Sequence, residues 1–306
     1  LGQIGDDFGE IYSIALSPDK RHLASCGYLE HGSGIQSSYI RLHDYESGQI
    51  SRLLYGHEDT VADVSYSGDG RYLVSGGYDG LVCIWDSKSN YDLTDAHSLH
   101  SGPVLSVRVA RKDGDWRVVS TGSDGQVILY SIREKKLIRR FRSSSELTCI
   151  AASDTYIAVG GYTDKLYIFD YDLKRIGAIS STAEHHALEF SPDGTKLLGG
   201  TYTQSGASEC LVYSAQDDFN LLTRFQIHTD LVMAVGFLNN RQAVSAGGAR
   251  NEIIVWDSED GVPEMYVRGK GTLINAISCS DGSVTISENP AGTRNAPKKT
   301  FSLANF

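Results

Sequence analysis

Short segments of alternating apolar residues recur along the chain, each ending in an aromatic-like side chain followed by Asp or Ser. They are Leu42-His43-Asp44, Ile84-Trp85-Asp86, Leu129-Tyr130-Ser131, Ile168-Phe169-Asp170, Val212-Tyr213-Ser214, Val255-Trp256-Asp257 and finally Thr300-Phe301-Ser302. Their last residues lie 42, 45, 39, 44, 43 and 45 positions apart. This regular spacing predicts a repeated structural unit, and the period is that of four short strands.

Turn residues divide each period into strands, most clearly between Gly56 and Asp86. Apolar stretches at 61–66, 72–76 and 81–85 are separated by Gly68-Asp69-Gly70 and Tyr78-Asp79-Gly80. Gly and Asp accept the dihedral angles of tight turns, and no stretch has a helical period. The pattern therefore predicts an all-β protein.

The residues Gly56-His57 and Trp85-Asp86, with Ser75 and Asp79 between them, resemble the signature of the WD-repeat family. A weaker form of the pattern extends over nearly the whole chain, and it is similar to bacterial WD-repeat domains found in larger multidomain proteins. The resemblance implies a seven-bladed β-propeller of four-stranded antiparallel blades, each running from an inner strand a to an outer strand d.

One propeller domain is expected over residues 1–306. The predicted blades are 8–54, 55–99, 100–142, 143–181, 182–226, 227–268 and 269–306 plus 1–7. The last period supplies only three strands, so we expect residues 1–4 to be its fourth strand and to pair near Phe301. Such closure would remove an exposed sheet edge.

The family resemblance also implies a structural hydrogen-bond network inside a blade. Its members would be His57, Ser75, Asp79 and Trp85 in blade two, His100, Ser120 and Asp124 in blade three, and His228, Ser245 and Trp256 in blade six, with Asn251 near the acidic position. Ser, His and Asp can also form a nucleophilic triad. Because the set is retained unevenly among the blades, we favour the structural role and expect no catalytic residue.

Charge and cysteine usage restrict the partners and the compartment. The net charge of −10 disfavours nucleic acid as the principal partner, although residues 108–142 carry ten basic and four acidic side chains. The simpler interpretation of 133–142 is a solvated outer strand.

Five widely spaced cysteines favour a reducing compartment, so we expect a cytoplasmic protein. No apolar run is long enough to span a membrane.

Metal and cofactor sites are not expected. Glu184-His185-His186 and His97-x-x-His100 lack the spacing and the further ligands of a recognised metal site. The sequence also has no phosphate-binding Gly-x-x-x-x-Gly-Lys-Ser/Thr motif.

A tyrosine follows strand b in four of the predicted blades, namely Tyr28, Tyr78, Tyr162 and Tyr202. Strands alternate in direction, so the b-to-c and d-to-a loops emerge at one end of each blade, here called the top. Acidic residues of the d-to-a loops, Glu58, Asp59 and Asp230, are expected beside these rings. The tyrosines either bind a partner or pack between blades, since an amphipathic ring suits both roles.

The main hypothesis is a non-catalytic protein-interaction or sensing scaffold that binds a protein or peptide segment, containing Lys or Arg, on its top face. We expect one domain of a longer polypeptide, with a fused or associated effector domain. One alternative is an enzyme with its site in the central channel, where Asp63 and Glu189 are the acidic residues of the inner strands. Another is a nucleic-acid binder that uses the basic sector of blade three.

Overall fold

The computed structural model describes residues 9–29, 38–181, 183–203, 208–247, 252–268, 272–280, 283–290 and 299–302. These residues form antiparallel sheets of sequentially adjacent strands. Across these ranges, no helical segment has the length and apolar composition of a membrane span. The described residues fall into two compact units.

The first unit lies within Leu1–Leu147 and Ser287–Lys299 and contains three four-stranded blades. Blade one comprises β1 Gly9–Leu16, β2 His22–Leu29, β3 Tyr39–Asp44 and β4 Ile50–Tyr55. Blade two comprises β5 Val61–Tyr66, β6 Tyr72–Gly77, β7 Val82–Asp86 and β8 Asp92–His97, with a 3-10 turn at Ser87–Ser89. Blade three comprises β9 Val104–Lys112, β10 Asp115–Gly122, β11 Gln126–Ser131 and β12 Lys136–Arg142.

The second unit lies within Thr148–Ile286 and Thr300–Phe306, so the first residue of its first strand, Leu147, is counted with the first unit. Blade four comprises β13 Leu147–Ala152, β14 Ile157–Gly161, β15 Lys165–Phe169 and β16 Arg175–Ser180. Blade five comprises β17 Glu184–Phe190, β18 Lys196–Tyr202, β19 Ser208–Ser214 and β20 Leu221–Phe225. Blade six comprises β21 Val232–Phe237, β22 Gln242–Gly247, β23 Glu252–Asp257 and β24 Pro263–Arg268.

The last sheet contains three strands, β25 Thr272–Ser280, β26 Ser283–Pro290 and β27 Lys299–Ser302. The described structure therefore has six four-stranded blades, and the prediction of seven such blades is wrong in this detail. The fourth strand of the last sheet was assigned to residues 1–4, which lie outside the described residues. The all-β propeller fold with four-stranded antiparallel blades is confirmed. The predicted extent of one domain over residues 1–306 stays a prediction.

Local chemistry explains why the chain turns where it does. In the turn between β5 and β6, the Ser67 hydroxyl donates to Asp69 Oδ1 at 2.7 Å and accepts the Tyr72 N–H at 2.9 Å. Gly70 occupies the left-handed region at φ 71°, which favours glycine. Asp19 and Asp193 form the same side-chain contact with Ser17 and Ser191 in other blades. These Ser-x-Asp turns bring strands a and b into register.

The apolar core of each unit lies between neighbouring blades. Val74 and Ile84 of blade two pack with Val104 and Val107 of blade three. In the second unit, Leu198 and Val212 of blade five are part of a buried cluster with Trp256 of blade six. Burial falls towards the outside, because every residue of β7 is buried whereas most of the outer strand β8 is exposed. The outer strand β12, which carries the predicted basic run, is likewise largely exposed.

Top-loop aromatic clusters and the networks that support them

Blade two contains a continuous hydrogen-bonded chain of four side chains. His57 Nδ1 lies 2.9 Å from Asp79 Oδ2, and His57 Nε2 lies 2.8 Å from the Ser75 hydroxyl. The indole N–H of Trp85 donates to the same hydroxyl at 3.1 Å. Because Asp79 accepts the proton on Nδ1, Nε2 of a neutral His57 is the acceptor and Ser75 donates to it. The polar side-chain atoms of these four residues are therefore all hydrogen-bonded.

This network joins two loops at the top of blade two. The Asp79 carboxylate also accepts the backbone N–H groups of Glu58 at 2.8 Å and Leu81 at 3.0 Å. Burial alone would raise the pKa of Asp79, but these bonds and the one with His57 lower it below its usual value. Ser75 is 0% exposed and already bonded on both sides. Its geometry fits a structural hydroxyl rather than a nucleophile.

Blade three retains three members of this set. His100 bonds to Asp124 Oδ1 at 3.1 Å and to the Ser120 hydroxyl at 2.8 Å. The fourth position is Tyr130, whose hydroxyl donates to Asp95 at 2.6 Å. Burial would raise the pKa of Asp124, but hydrogen bonds from backbone N–H groups and from His100 hold it at about 2.

Blade six contains an acidic member that the sequence analysis did not assign. His228 Nε2 lies 2.7 Å from the Ser245 hydroxyl, which also accepts the Trp256 indole N–H at 3.1 Å. The acidic member is Glu252, whose Oε2 lies 3.5 Å from His228 Nδ1. The sequence had placed Asn251 near this position, but that residue lies outside the described residues. Glu252 lies one residue later than Asn251, and its longer side chain reaches His228. A search for Asp or Asn in the turn does not find it.

Sequence analysis also missed a variant in blade one. His43 stands where blades two and six have Trp, and its Nε2 lies 3.0 Å from the Ser25 hydroxyl. A ring nitrogen on strand c therefore bonds to the strand b serine in all three blades. The signal was available, because His43 occupies the aromatic-like position of the repeat.

Asp63, an inner-strand residue considered for an enzyme site, is fully engaged within the first unit. Its Oδ1 accepts from the Ser13 hydroxyl at 2.6 Å and from the Val64 N–H at 2.9 Å. Its Oδ2 accepts from the Ser106 hydroxyl at 2.9 Å, the Val107 N–H at 2.9 Å and Arg108 Nη1 at 2.8 Å. Five donors from three blades occupy a carboxylate with about four lone-pair sites. Asp63 thus links blades and has no free lone pair with which to accept a substrate proton.

The predicted binding tyrosines fall into two groups, one in each unit. Tyr78 is 42% exposed and stacks on Tyr12, with ring centroids 6.3 Å apart. Tyr12 also lies close enough to Tyr28 and Glu10 for both to raise its pKa, although burial is the larger cause. We call Tyr12, Tyr28 and Tyr78 the first aromatic cluster. Tyr12 was not among the predicted binding residues.

A β-bulge explains why Tyr12 joins this group. The pairing of β1 with β2 shifts between Ile11 and Ser13, so Tyr12 is the extra residue of the inner strand. Gly27 lies opposite at φ 152°, and a Cβ there would meet the Glu10 carbonyl oxygen at 2.0 Å. The close approach of two backbones therefore requires glycine, and the bulge directs Tyr12 towards Tyr78.

The second aromatic cluster consists of Tyr162, His186 and Tyr202. Tyr162 is 49% exposed, and its ring meets His186 edge-on at a centroid distance of 5.6 Å. His186 also meets the half-buried Tyr202 edge-on at 6.5 Å. Glu184 Oε2 lies 3.9 Å from His186 Nε2. Burial lowers the pKa of His186, with Glu184 opposing the shift, and this favours the neutral form of the ring.

The predicted acidic residues occupy the d-to-a loops. The Glu58 side chain is exposed, and its backbone N–H is the one bound by Asp79. Asp59 and Asp230 occupy equivalent positions, and their carboxylates accept the N–H of the following residue at 2.6 and 2.8 Å. These two residues thus shape the loop, and Asp230 is also exposed to solvent.

The histidine pairs considered as metal ligands do not converge. His185 is buried and lies 3.4 Å from the Tyr213 hydroxyl, whereas its neighbour His186 belongs to the second aromatic cluster. His97 stacks against Tyr130 at 4.0 Å, and His100 is committed to the blade-three network. Within the described ranges, no three His, Cys, Asp or Glu side chains are grouped so that they could hold a metal ion.

Comparison with known proteins supports the resemblance. The family described as "WD domain, G-beta repeat" matches residues 48–86. Periodic tryptophan protein 2 homolog of Dictyostelium discoideum is 23% identical over 245 residues, covering 78% of this chain and 26% of that protein. Protein ROOT INITIATION DEFECTIVE 3 of Arabidopsis thaliana is 26% identical over 226 residues, covering 70% and 47%. Actin-interacting protein 1 of Caenorhabditis elegans is 20% identical over 266 residues, covering 72% and 43%.

This chain spans about a quarter to a half of the length of these relatives. The matched segment 48–86 contains the His57, Ser75, Asp79 and Trp85 network of blade two. Repeat spacing, four-stranded blades and sequence matches therefore agree. Residues 48–86 therefore form a WD repeat, and the other four-stranded blades resemble it in strand order and spacing.

Proposed function

We propose that this protein is a non-catalytic interaction scaffold that binds a protein or peptide segment through its top loops. The observation that carries the proposal is the exposure of two tyrosine rings on anchored loops. Tyr78 and Tyr162 are 42% and 49% exposed. The Tyr78 N–H donates to the Thr60 carbonyl at 2.8 Å, and the next turn is fixed by Asp79. A ring held on such a loop loses little conformational entropy when a partner covers it.

Two further observations favour a scaffold over the alternatives. Ser75 is buried and Asp63 is saturated with donors, so neither offers the free nucleophile or base that an enzyme needs. The name of one relative, Actin-interacting protein 1, describes a protein-binding role. The top-loop carboxylates of Glu58 and Asp230 favour a partner segment that contains Lys or Arg.

Cysteine placement supports a cytoplasmic location as part of this proposal. Cys26, Cys83, Cys149 and Cys210 are buried and Cys279 is half-buried, and all five are thiols rather than members of a disulfide. Burial raises the pKa of Cys83 and of Cys210 to about 12, so both remain neutral thiols in the core. Free thiols are the normal state of cysteine in a reducing compartment.

The test begins with affinity capture of a partner from the source cell, followed by binding measurements with the purified partner. Tyr78→Ala and Tyr162→Ala should each weaken binding by about fivefold or more, as at an aromatic hot spot. Matched controls are Tyr55→Ala and Ile176→Ala, because Tyr55 is 66% and Ile176 49% exposed on outer strands of the two units.

Melting temperatures are measured on the same samples. The proposal expects the two tyrosine variants to keep the wild-type melting temperature while they lose affinity. Unchanged affinity in both would reject the top loops as the binding surface. A loss of folding without a specific loss of binding would assign the rings to packing.

A further inference from the structure

The outer strand of blade three, β12, carries more basic residues than any other outer strand that the structure describes. It contains Lys136, Arg139, Arg140 and Arg142 and no acidic residue. The outer strands β4, β16 and β20 have one arginine each, and β8 has two aspartates. Charges on a sheet edge discourage unwanted strand pairing. Because one or two charges are present for that purpose in the other blades, edge protection alone does not account for four of one sign.

The positive charge of β12 is only partly neutralised within the chain. Lys136 pairs with Glu134, with Nζ 2.7 Å from Oε2. Arg140 Nη1 donates to the neutral side-chain amide of Gln126 at 3.3 Å. Arg140 and Arg142 are exposed, and among the described residues no carboxylate lies within ion-pair distance of either guanidinium. By contrast, the single arginine of β20 is paired with a carboxylate at 2.7 Å.

The backbone of β12 has an open edge beside the same two arginines. The Ser143 N–H donates to the Gly125 carbonyl at 2.8 Å, which fixes the phase of the ladder between β11 and β12. Hydrogen-bonded and non-hydrogen-bonded pairs alternate along an antiparallel ladder, so Arg140 and Arg142 belong to non-hydrogen-bonded pairs. Since β12 is the last strand of its sheet, the N–H and C=O groups of these two residues point away from the blade.

We propose that β12 binds an acidic peptide segment of a partner protein, which adds to blade three as a fifth strand. Arg140 and Arg142 are two residues apart and therefore lie on one face of the blade. Carboxylates two residues apart in the added strand would meet them, while the backbones pair. Guanidinium and carboxylate groups form charge-assisted, often bidentate hydrogen bonds. This surface lies outside the top loops, so the inference goes beyond the proposed function and does not depend on it.

The extent and the surroundings of the basic strand favour a peptide over a nucleic acid. The seven residues of β12 span about 23 Å, the length of one short strand. The neighbouring outer strand β8 carries Asp92 and Asp95, and the whole chain has a net charge of −10, so a phosphate backbone that continued past β12 would be repelled. Within residues 104–142, all of them described, no aromatic ring is exposed on which a base could stack.

The experiment uses the whole chain and a synthetic acidic peptide. The probe is fluorescein-labelled Glu-Val-Glu-Thr-Glu-Val-Glu, which is as long as β12, and binding is followed by fluorescence anisotropy. The first control peptide has Gln in place of every Glu. The second keeps the acids but is N-methylated at its three central backbone nitrogens, which blocks strand pairing along both edges. A thymidine oligonucleotide and phosphatidylserine vesicles represent the other polyanions.

The acidic peptide should bind in the micromolar to millimolar range, and both control peptides at least about fivefold more weakly. Arg140→Gln and Arg142→Gln should each weaken binding by about threefold, and the double variant by about tenfold. Arg175→Gln is the matched control, because it removes one exposed charge from the outer strand of blade four, and it should leave the affinity unchanged. Melting temperatures should stay at the wild-type value, because these side chains are exposed.

Hydrogen exchange on the wild-type chain locates the peptide without any substitution. Saturating acidic peptide should slow exchange of the Arg140 and Arg142 amides by at least about threefold. Unchanged exchange at both amides, equal affinity for either control peptide, or full affinity in the double variant would overturn the proposal. Tighter binding of the oligonucleotide or of the vesicles than of the peptide would also overturn it, and would assign the strand to another class of polyanion.

Discussion

Replacing Ser75 with Ala tests whether the polar network supports the blade. The Ser75 hydroxyl accepts from Trp85 Nε1 and donates to His57 Nε2, and both rings are buried. Alanine leaves a buried donor and a buried acceptor without partners. Each buried unsatisfied group costs about 1–3 kcal/mol. Because two groups are affected and their surroundings relax in part, we expect Ser75→Ala to lower the free energy of unfolding by about 2–4 kcal/mol.

Two other serines provide internal controls. Ser245 bonds to the His228 and Trp256 rings of blade six in the same way, so Ser245→Ala should cost about as much, 2–4 kcal/mol. Ser120 bonds to His100, whereas Tyr130 of that blade donates to Asp95 instead. Ser120→Ala therefore orphans one ring nitrogen and should cost about 1–2 kcal/mol.

Urea unfolding at neutral pH, in reducing buffer, measures these differences by tryptophan fluorescence and by circular dichroism. The two signals must coincide before a free energy of unfolding is quoted for a chain of 306 residues. For a chain of this size a loss of 1 kcal/mol lowers the melting temperature by roughly 2 °C. An equal cost for Ser75→Ala and Ser120→Ala, or a cost below about 0.5 kcal/mol for Ser75→Ala, would refute the reasoning.

Three further predictions concern residues outside this series. Burial lowers the pKa of His97 and His185 from 6.5 to about 4. The stability that their neutral forms contribute is therefore complete above about pH 6.5 and is lost as the pH falls towards 4. The urea midpoint should drop between pH 7 and pH 5, and His185→Gln should reduce that drop. Asp63→Asn should destabilise the first unit by about 3 kcal/mol, because it breaks the partly buried pair with Arg108 and disturbs the bonds from Ser13 and Ser106. An unchanged urea midpoint would contradict that linking role. Gly27→Ala should lower the melting temperature, because the added Cβ would lie 2.0 Å from the Glu10 carbonyl oxygen. In protein labelled with fluorotyrosine, it should also shift the fluorine NMR signal of Tyr78, whose ring stacks on Tyr12. An unperturbed signal would show that the bulge does not position Tyr12.

Repeat spacing and turn residues were sufficient to predict the strands and the blade architecture, because both are encoded locally. Ser67 and Asp69, for example, form their turn through contacts between near neighbours. The sequence did not indicate that Asp63 joins Ser13 and Arg108, which are 50 and 45 residues away. Long-range side-chain partners of this kind depend on how blades pack, which a linear pattern does not specify.

The candidate site was predictable in the same partial way. Tyr78 and Tyr162 follow strand b in a recurring position, so their place on the top loops could be inferred from the repeat. The contribution of Tyr12 depends on a bulge and on the close backbone approach at Gly27, neither of which alters the alternation of apolar residues. The sequence analysis did not identify Glu252 because this residue lies on strand c, whereas the acidic residue of the other networks lies in the b-to-c turn.

Site-specific photo-crosslinking tests the central claim most directly. A benzophenone amino acid is placed singly at positions 78 and 162 on the top loops, and at positions 55 and 176 on the outer strands, and each protein is irradiated with the purified partner. The account predicts efficient crosslinks to the partner from positions 78 and 162, and few from the other two. Crosslinks confined to positions 55 or 176 would contradict it and would place the interaction on the outer strands.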